Sequence, residues 1–108
     1  MVPFDVVLAP VTVGMSQDPR WCIVLEVNGD WITVNPCSAQ MDLFREGRDL
    51  LFDDDPDSMK QAGFRRPTYA SGSDEVDVVH VNQVRKVYGH LTPDQKKRFK
   101  EWFDWDRE

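Results

Sequence analysis

The chain has 108 residues, 41% of them hydrophobic and 30% charged, and a formal net charge of −6. That length fits one domain, residues 1–108, able to bury a modest core without disulfide or metal staples. The acidic balance excludes a general nucleic-acid coat, because a phosphate backbone needs cations to replace its counterions, and leaves room for a local basic groove.

The opening residues carry neither a basic segment nor a cleavage-site pattern, and no apolar run approaches the roughly 20 residues of a membrane span. The expectation is a cytoplasmic protein with no membrane partner. Phe4 to Val13 is rich in Val and reads as a first strand, with Pro10 ending it or marking an edge. Gly14 to Pro19 has the composition of an exposed loop. Trp21 to Val27 is a nearly continuous apolar run, the pattern of a strand buried on both faces. Asn28-Gly29-Asp30 is a strong hairpin signal, and the β-branched and aromatic run Trp31 to Pro36 returns from it. Cys22 and Cys37 are too few for a disulfide framework and read as small buried hydrophobes within these strands.

Met41 to Phe52 is mixed and reads as a short helix or an irregular connection. The acidic run Asp53 to Asp57 lacks the spacing and glycine of a calcium loop and reads as a solvated loop, not a metal site. Asp57 or Ser58 is the candidate cap of a short helix ending at Gly63. Arg65 to Ser73 reads as a strand, entered through Pro67 and ended by Gly72; Val76 to Val84 reads as another, its end free to turn helical. The last element has the clearest start: Thr92 as N-cap, Pro93 at the first helical position and Gln95 where a capping box wants Glu or Gln. Phe99, Trp102 and Phe103 share one face of this helix. Short strands, one hairpin and a terminal helix suggest a small, strongly curved sheet or a partly open barrel.

The usual catalytic signatures are missing: no Gly-rich phosphate loop, no Cys-x-x-Cys, no His-Glu-x-x-His, no Gly-x-Ser-x-Gly. His80 reads as a core or edge residue, and His90 as part of the turn before the last helix. Arg20 and Ser38 remain. Arg20 precedes Asn28 by the same interval by which Ser38 follows Asp30, so antiparallel pairing brings them together at the open end of the hairpin. A guanidinium fork suits phosphate, and a neighbouring hydroxyl can donate to the same oxyanion. A structural alternative stands beside this: Arg20 solvates a loop edge and Ser38 closes a turn.

The order of elements resembles the MazF/PemK family of toxin endoribonucleases. "FDVVLAPV" resembles its opening strand. "PRWCIVLEVNGDWITVNPCSAQ" resembles its Arg-Pro, apolar strand, turn, apolar strand, Thr/Ser-x-Gln core, "GFRRPTYA" a later strand, and "VRKVYGHLTPDQ" the segment before the terminal helix. The resemblance spans about residues 4 to 103. It implies a mainly β fold, an SH3-like small barrel with appended helices and an amphipathic C-terminal helix, usually as a homodimer. It implies cleavage of single-stranded RNA without metal or cofactor, leaving a 2′,3′-cyclic phosphate and a 5′-hydroxyl, and neutralisation by a cognate antitoxin. Carried over by position, Arg20 and Ser38 are the catalytic pair, Arg20 stabilising the pentacovalent phosphate and taking part in proton transfer while Ser38 holds a non-bridging oxygen. Trp21, Gln40, Arg65 and Arg66 are the substrate-binding candidates, with Arg45, Arg48 and Lys60 as further basic residues.

Two features depart from the family pattern. Trp21 stands where the family has Pro after the arginine, and the first loop has no basic residue. With the acidic net charge, they keep a second reading open: a catalytically inactive barrel of the same fold serving as an acidic protein-binding or regulatory module.

Overall fold

The computed structural model describes residues 1–11, 18–73 and 76–105. Its elements run β1 (Asp5–Pro10), β2 (Pro19–Asn28), β3 (Trp31–Ser38), β4 (Leu50–Phe52), α1 (Pro56–Ala62), β5 (Thr68–Ala70), β6 (Asp77–His80), β7 (Lys86–His90) and α2 (Pro93–Trp105). The strands form a curled antiparallel half-barrel in the order β4-β5-β3-β2-β1-β7, with β6 also paired to β3. β3 is therefore shared along one edge. Its turn-proximal half, Trp31 to Val34, pairs with β6, and its far end, Cys37 and Ser38, pairs with β5.

The β2–β3 hairpin sets the geometry of everything near its open end. Asn28 pairs with Trp31, leaving Gly29 and Asp30 as a two-residue turn. Gly29 has φ +62° and Asp30 a negative φ, the signs of a type II′ turn, which wants glycine at its first central position. The pairing then shifts by one residue between Val24 and Glu26, so that Leu25 is the extra residue of a bulge. Beyond the bulge the register runs Val24↔Val34, Ile23↔Asn35, Cys22↔Pro36. Continued two positions further, it sets Arg20 opposite Ser38. A regular ladder from the same turn would set Arg20 opposite Ala39 instead.

Because side chains alternate across a strand, β2 feeds two cores. Ile23 joins Val6, Cys37, Phe52, Phe64, Leu91 and Phe99 on one face. Cys22 and Val24 join Val7, Ala9, Ile32, Val34 and Val79 on the other. This explains the unbroken apolar run of β2. The first core is capped by α2, whose Phe99 is 1% exposed and meets Phe4 edge-on with ring centroids 6.2 Å apart. Truncating a buried Phe of this kind to Ala costs about 3–5 kcal/mol.

α2 begins as its sequence dictates. The Thr92 N–H donates to Gln95 Oε1 at 2.8 Å, and the Gln95 N–H donates to Thr92 Oγ1 at 3.2 Å. α1 ends as expected, with Gly63 at φ +85°. Its cap differs: Asp55, not Asp57 or Ser58, accepts from the Ser58 N–H, because Pro56 takes the first helical position and puts the cap one residue earlier. Met41 to Phe52 contains a 3-10 turn at Met41–Leu43 and the short strand β4. His90 is not a turn residue but the end of β7, where its Nδ1 lies 2.8 Å from Asp5 Oδ1. The end of the Val76–Val84 run does turn helical, as a 3-10 turn at Val81–Gln83 capped by His80. Of the expected first loop, only Asp18 and Pro19 fall within the described residues, and Pro19 already belongs to β2.

Candidate active site

At the open end of the hairpin lies a pocket of about 540 Å³. Its wall is built from four places in the chain. β2 supplies Arg20 and Trp21, and the end of β3 with the residues after it supplies Ser38 and Gln40. The turn before β5 supplies Arg65 and Arg66, and β7 supplies Tyr88. All six residues singled out from sequence thus share one cavity. The topology explains why: β5 pairs with the last two residues of β3, Cys37↔Ala70 and Ser38↔Tyr69, so the segment leading into β5 is carried alongside Ser38.

The local chemistry of the wall follows from its hydrogen bonds. Ser38 Oγ accepts from the Gln40 N–H at 3.1 Å, which orients the hydroxyl oxygen and leaves its own proton available to donate. Thr68 Oγ1 donates to the Arg66 carbonyl at 2.9 Å and fixes the backbone where the two arginines sit. Trp21 stacks on Tyr88 with ring centroids 3.8 Å apart and planes 13° from parallel. It also leans on Phe64, centroid to centroid 6.4 Å. One face of the indole is therefore occupied by protein, and packing is its first role.

Six of the arginines fall into two groups. Arg48 pairs with Asp49, and Arg98 pairs with Asp54 and Asp94. Arg45 donates to the carbonyls of Asp42 and Phe44. These three serve the scaffold, and none lines the pocket. Arg20, Arg65 and Arg66 do line it, and no described ion pair engages them. Asp18 adds one carboxylate to the same wall. The acidic run is likewise put to structural use: Asp54 takes Arg98 and the Gln95 amide, and Asp55 caps α1.

The chain has the fold of a solved endoribonuclease. That structure, an endoribonuclease in complex with its cognate antitoxin from mycobacterial species, superposes with a TM-score of 0.67 over 99% of this chain and 92% of the other, at 9% sequence identity. No family model matches the sequence, and no curated protein matches it. Similarity at that identity is similarity of fold. The open end of the hairpin carries the residue chemistry of the site.

Sequence reading missed Tyr88, Phe64 and Thr68 as parts of the wall. Tyr88 was hidden because β7 is interrupted by glycine and flanked by charge, so "KVYGH" lacks an obvious strand pattern. Its β-branched and aromatic pair, Val87-Tyr88, was the available signal.

Proposed function

We propose that the chain is a toxin-type endoribonuclease that cuts single-stranded RNA and is neutralised by a cognate antitoxin. One observation carries the reading: Arg20 and Ser38 line a single pocket together with two further arginines that no described carboxylate pairs with. The fold likeness to an endoribonuclease solved with its antitoxin supports it.

In the proposed reaction the substrate supplies its own nucleophile. The ribose 2′-oxygen bonds to the adjacent phosphorus and the P–O5′ bond breaks. This leaves a 2′,3′-cyclic phosphate and a 5′-hydroxyl, the proton lost at O2′ and the one gained at O5′ being exchanged with solvent. Charge builds on the non-bridging oxygens of the pentacovalent phosphate. Arg20 spans them with its fork of donors, and the Ser38 hydroxyl donates to one. A guanidinium stays protonated in proteins, so Arg20 acts as an electrostatic clamp and a donor, not as a base. Arg65, Arg66 and Gln40 hold the strand, and Trp21 shapes the floor. A metal plays no part in this scheme, and two copies of the chain form the working unit.

The test is cleavage of a long single-stranded RNA in EDTA by wild type, Arg20→Ala and Ser38→Ala, each checked for folding by circular dichroism. The expected result is 5′-hydroxyl ends from wild type, a rate lower by about 10²–10³-fold in Ser38→Ala, the usual cost of one transition-state donor, and a larger loss in Arg20→Ala. Arg20→Lys should also fail, because an ammonium cannot bridge two oxygens in a plane. A well-folded wild type that leaves RNA intact would overturn the nuclease in favour of the binding module.

A further inference from the structure

A second cavity of about 700 Å³ adjoins the first. The two share part of their wall: Phe64, Arg65, Arg66 and Tyr88 line both. The two cavities therefore adjoin at these four residues, two of them arginines. The far cavity adds Lys60 from α1 and Lys86 from β7. Both are exposed, and no described ion pair holds either. Lys86 Nζ sits 5.1 Å from the centroid of the Tyr88 ring. Asp53 and Asp54 also line this cavity, and Asp54 is taken up by Arg98.

We propose that the far cavity is a second polynucleotide subsite, in which Lys60, Lys86, Arg65 and Arg66 hold phosphates of the strand beyond the scissile bond. The proposal rests on the nuclease reading for the identity of the strand. Three observations support it. Each cavity falls within the volume range of small-ligand pockets, so the adjoining pair has room for more than one nucleotide. The cations are divided between the cavities, Arg20 in the first, Lys60 and Lys86 in the second and Arg65 and Arg66 in both, which suits a linear polyanion better than a single phosphate. Finally, the large apolar side chains that the described surface exposes, Val2, Trp31, Leu43, Val78 and Val87 among them, all lie outside both walls. An acidic peptide would find charge there but none of these exposed apolar side chains to anchor on.

The probes are fluorescein-labelled 2′-O-methyl RNAs, a dinucleotide and a mixed-sequence 12-mer, which bind without being cut. Their affinities are measured against wild type, Lys60→Gln and the double variant Lys60→Gln/Lys86→Gln over a range of salt. The expected result is a preference for the 12-mer over the dinucleotide that falls at least tenfold in the double variant and by a smaller factor in Lys60→Gln. The salt slope for the 12-mer should become shallower by about 1.4, since each lost single-strand phosphate contact removes about 0.7. An unchanged preference would overturn the proposal. So would equal losses for both probes, which would mean a diffuse field effect. Competition by poly-glutamate as strong as by the 12-mer, lost in the same variants, would assign the groove to an acidic protein segment and also overturn it. If Lys86→Gln disturbs folding, Lys60→Gln alone decides, because Lys60 is an exposed helix residue. Wild type that binds the 12-mer in this pattern yet cuts no RNA would keep the subsite and sink the nuclease.

Discussion

The side chains of Cys22 and Cys37 lie one on each side of the sheet, both buried. Burial pushes the Cys22 thiol up to about 12, the Asp77 charge adds to this, and nearby Arg20 only partly offsets it. Burial lifts Cys37 well above the ordinary thiol range as well. Neither is a thiolate at neutral pH, so neither serves as a nucleophile, although Cys37 lines the pocket. Native protein should resist Ellman's reagent for hours and release two equivalents on addition of guanidinium; rapid native labelling would contradict this. A different residue-scale constraint sits at Gly63. A methyl group there would lie 2.6 Å from Tyr88 Cβ and 2.8 Å from the Tyr88 carbonyl, on a backbone at φ +85°. The left-handed backbone alone costs a non-glycine residue about 1–2 kcal/mol. Gly63→Ala should therefore lower the urea midpoint and, under the proposed nuclease function, should also weaken RNA cleavage, because the residue it displaces is the one stacked on Trp21. The glycine was legible from sequence as a helix stop. Its second duty, admitting β7 against α1, was not, since no local pattern announces which distant strand will pass.

Between residues and the whole molecule stand two polar knots that fasten elements together. The first is the start of α2. Gln95 is fully buried, closes the capping box with Thr92, and donates its amide to Asp54 and to the Ser58 carbonyl. One side chain thus ties α2 to the approach to α1. Gln95→Ala should destabilise by about 1–3 kcal/mol, the cost of leaving buried polar groups unpaired, measured by urea unfolding. The second knot is Asp49. Burial by itself would raise its carboxyl, but donation from Arg48, the Gly72 N–H and the Arg45 N–H outweighs this and holds it below the ordinary carboxylate value. The stability it contributes is complete above the unfolded pKa of about 3.9 and is lost as pH falls through the lower folded value. Asp49→Asn should be less stable than wild type at pH 7, and the gap should narrow as the pH is brought below 3.9. The capping box was readable because its signals lie within four residues. Asp49 was not: Arg48 stands next to it in the chain, but Gly72 reaches it only after β4 and β5 pair. β4 and β7 escaped notice for the same reason, being short strands that owe their existence to the neighbours they pair with.

For the molecule as a whole, the half-barrel, the hairpin and the terminal helix followed from sequence patterns. The meeting of Arg20 and Ser38 was anticipated by counting outward from the turn, and that count succeeded because the two-residue turn and the Leu25 bulge offset each other. The bulge itself left no mark in the sequence. The distribution of charge could not be read either. In a chain of net charge −6, Arg20, Arg65, Arg66, Lys60 and Lys86 line the two adjoining cavities with no described ion pair, while Arg45, Arg48 and Arg98 are held by carboxylates and carbonyls elsewhere. The reason is partly topological: Asp49 and Asp94 are local partners of Arg48 and Arg98, but Asp54 lies 44 residues from Arg98 and meets it only in the fold.

The stacked pair at the floor of the pocket also has an optical consequence. Of four tryptophans in the chain, Trp21 is the one that lines either cavity among the described residues, and it lies face to face with Tyr88. Its emission therefore depends on whatever covers its remaining face. Replacing Trp31, Trp102 and Trp105 with Phe would leave Trp21 as the single tryptophan, excited apart from the two tyrosines at the long-wavelength edge of its absorption. Its quenching would time the arrival and departure of a nucleotide without any attached dye.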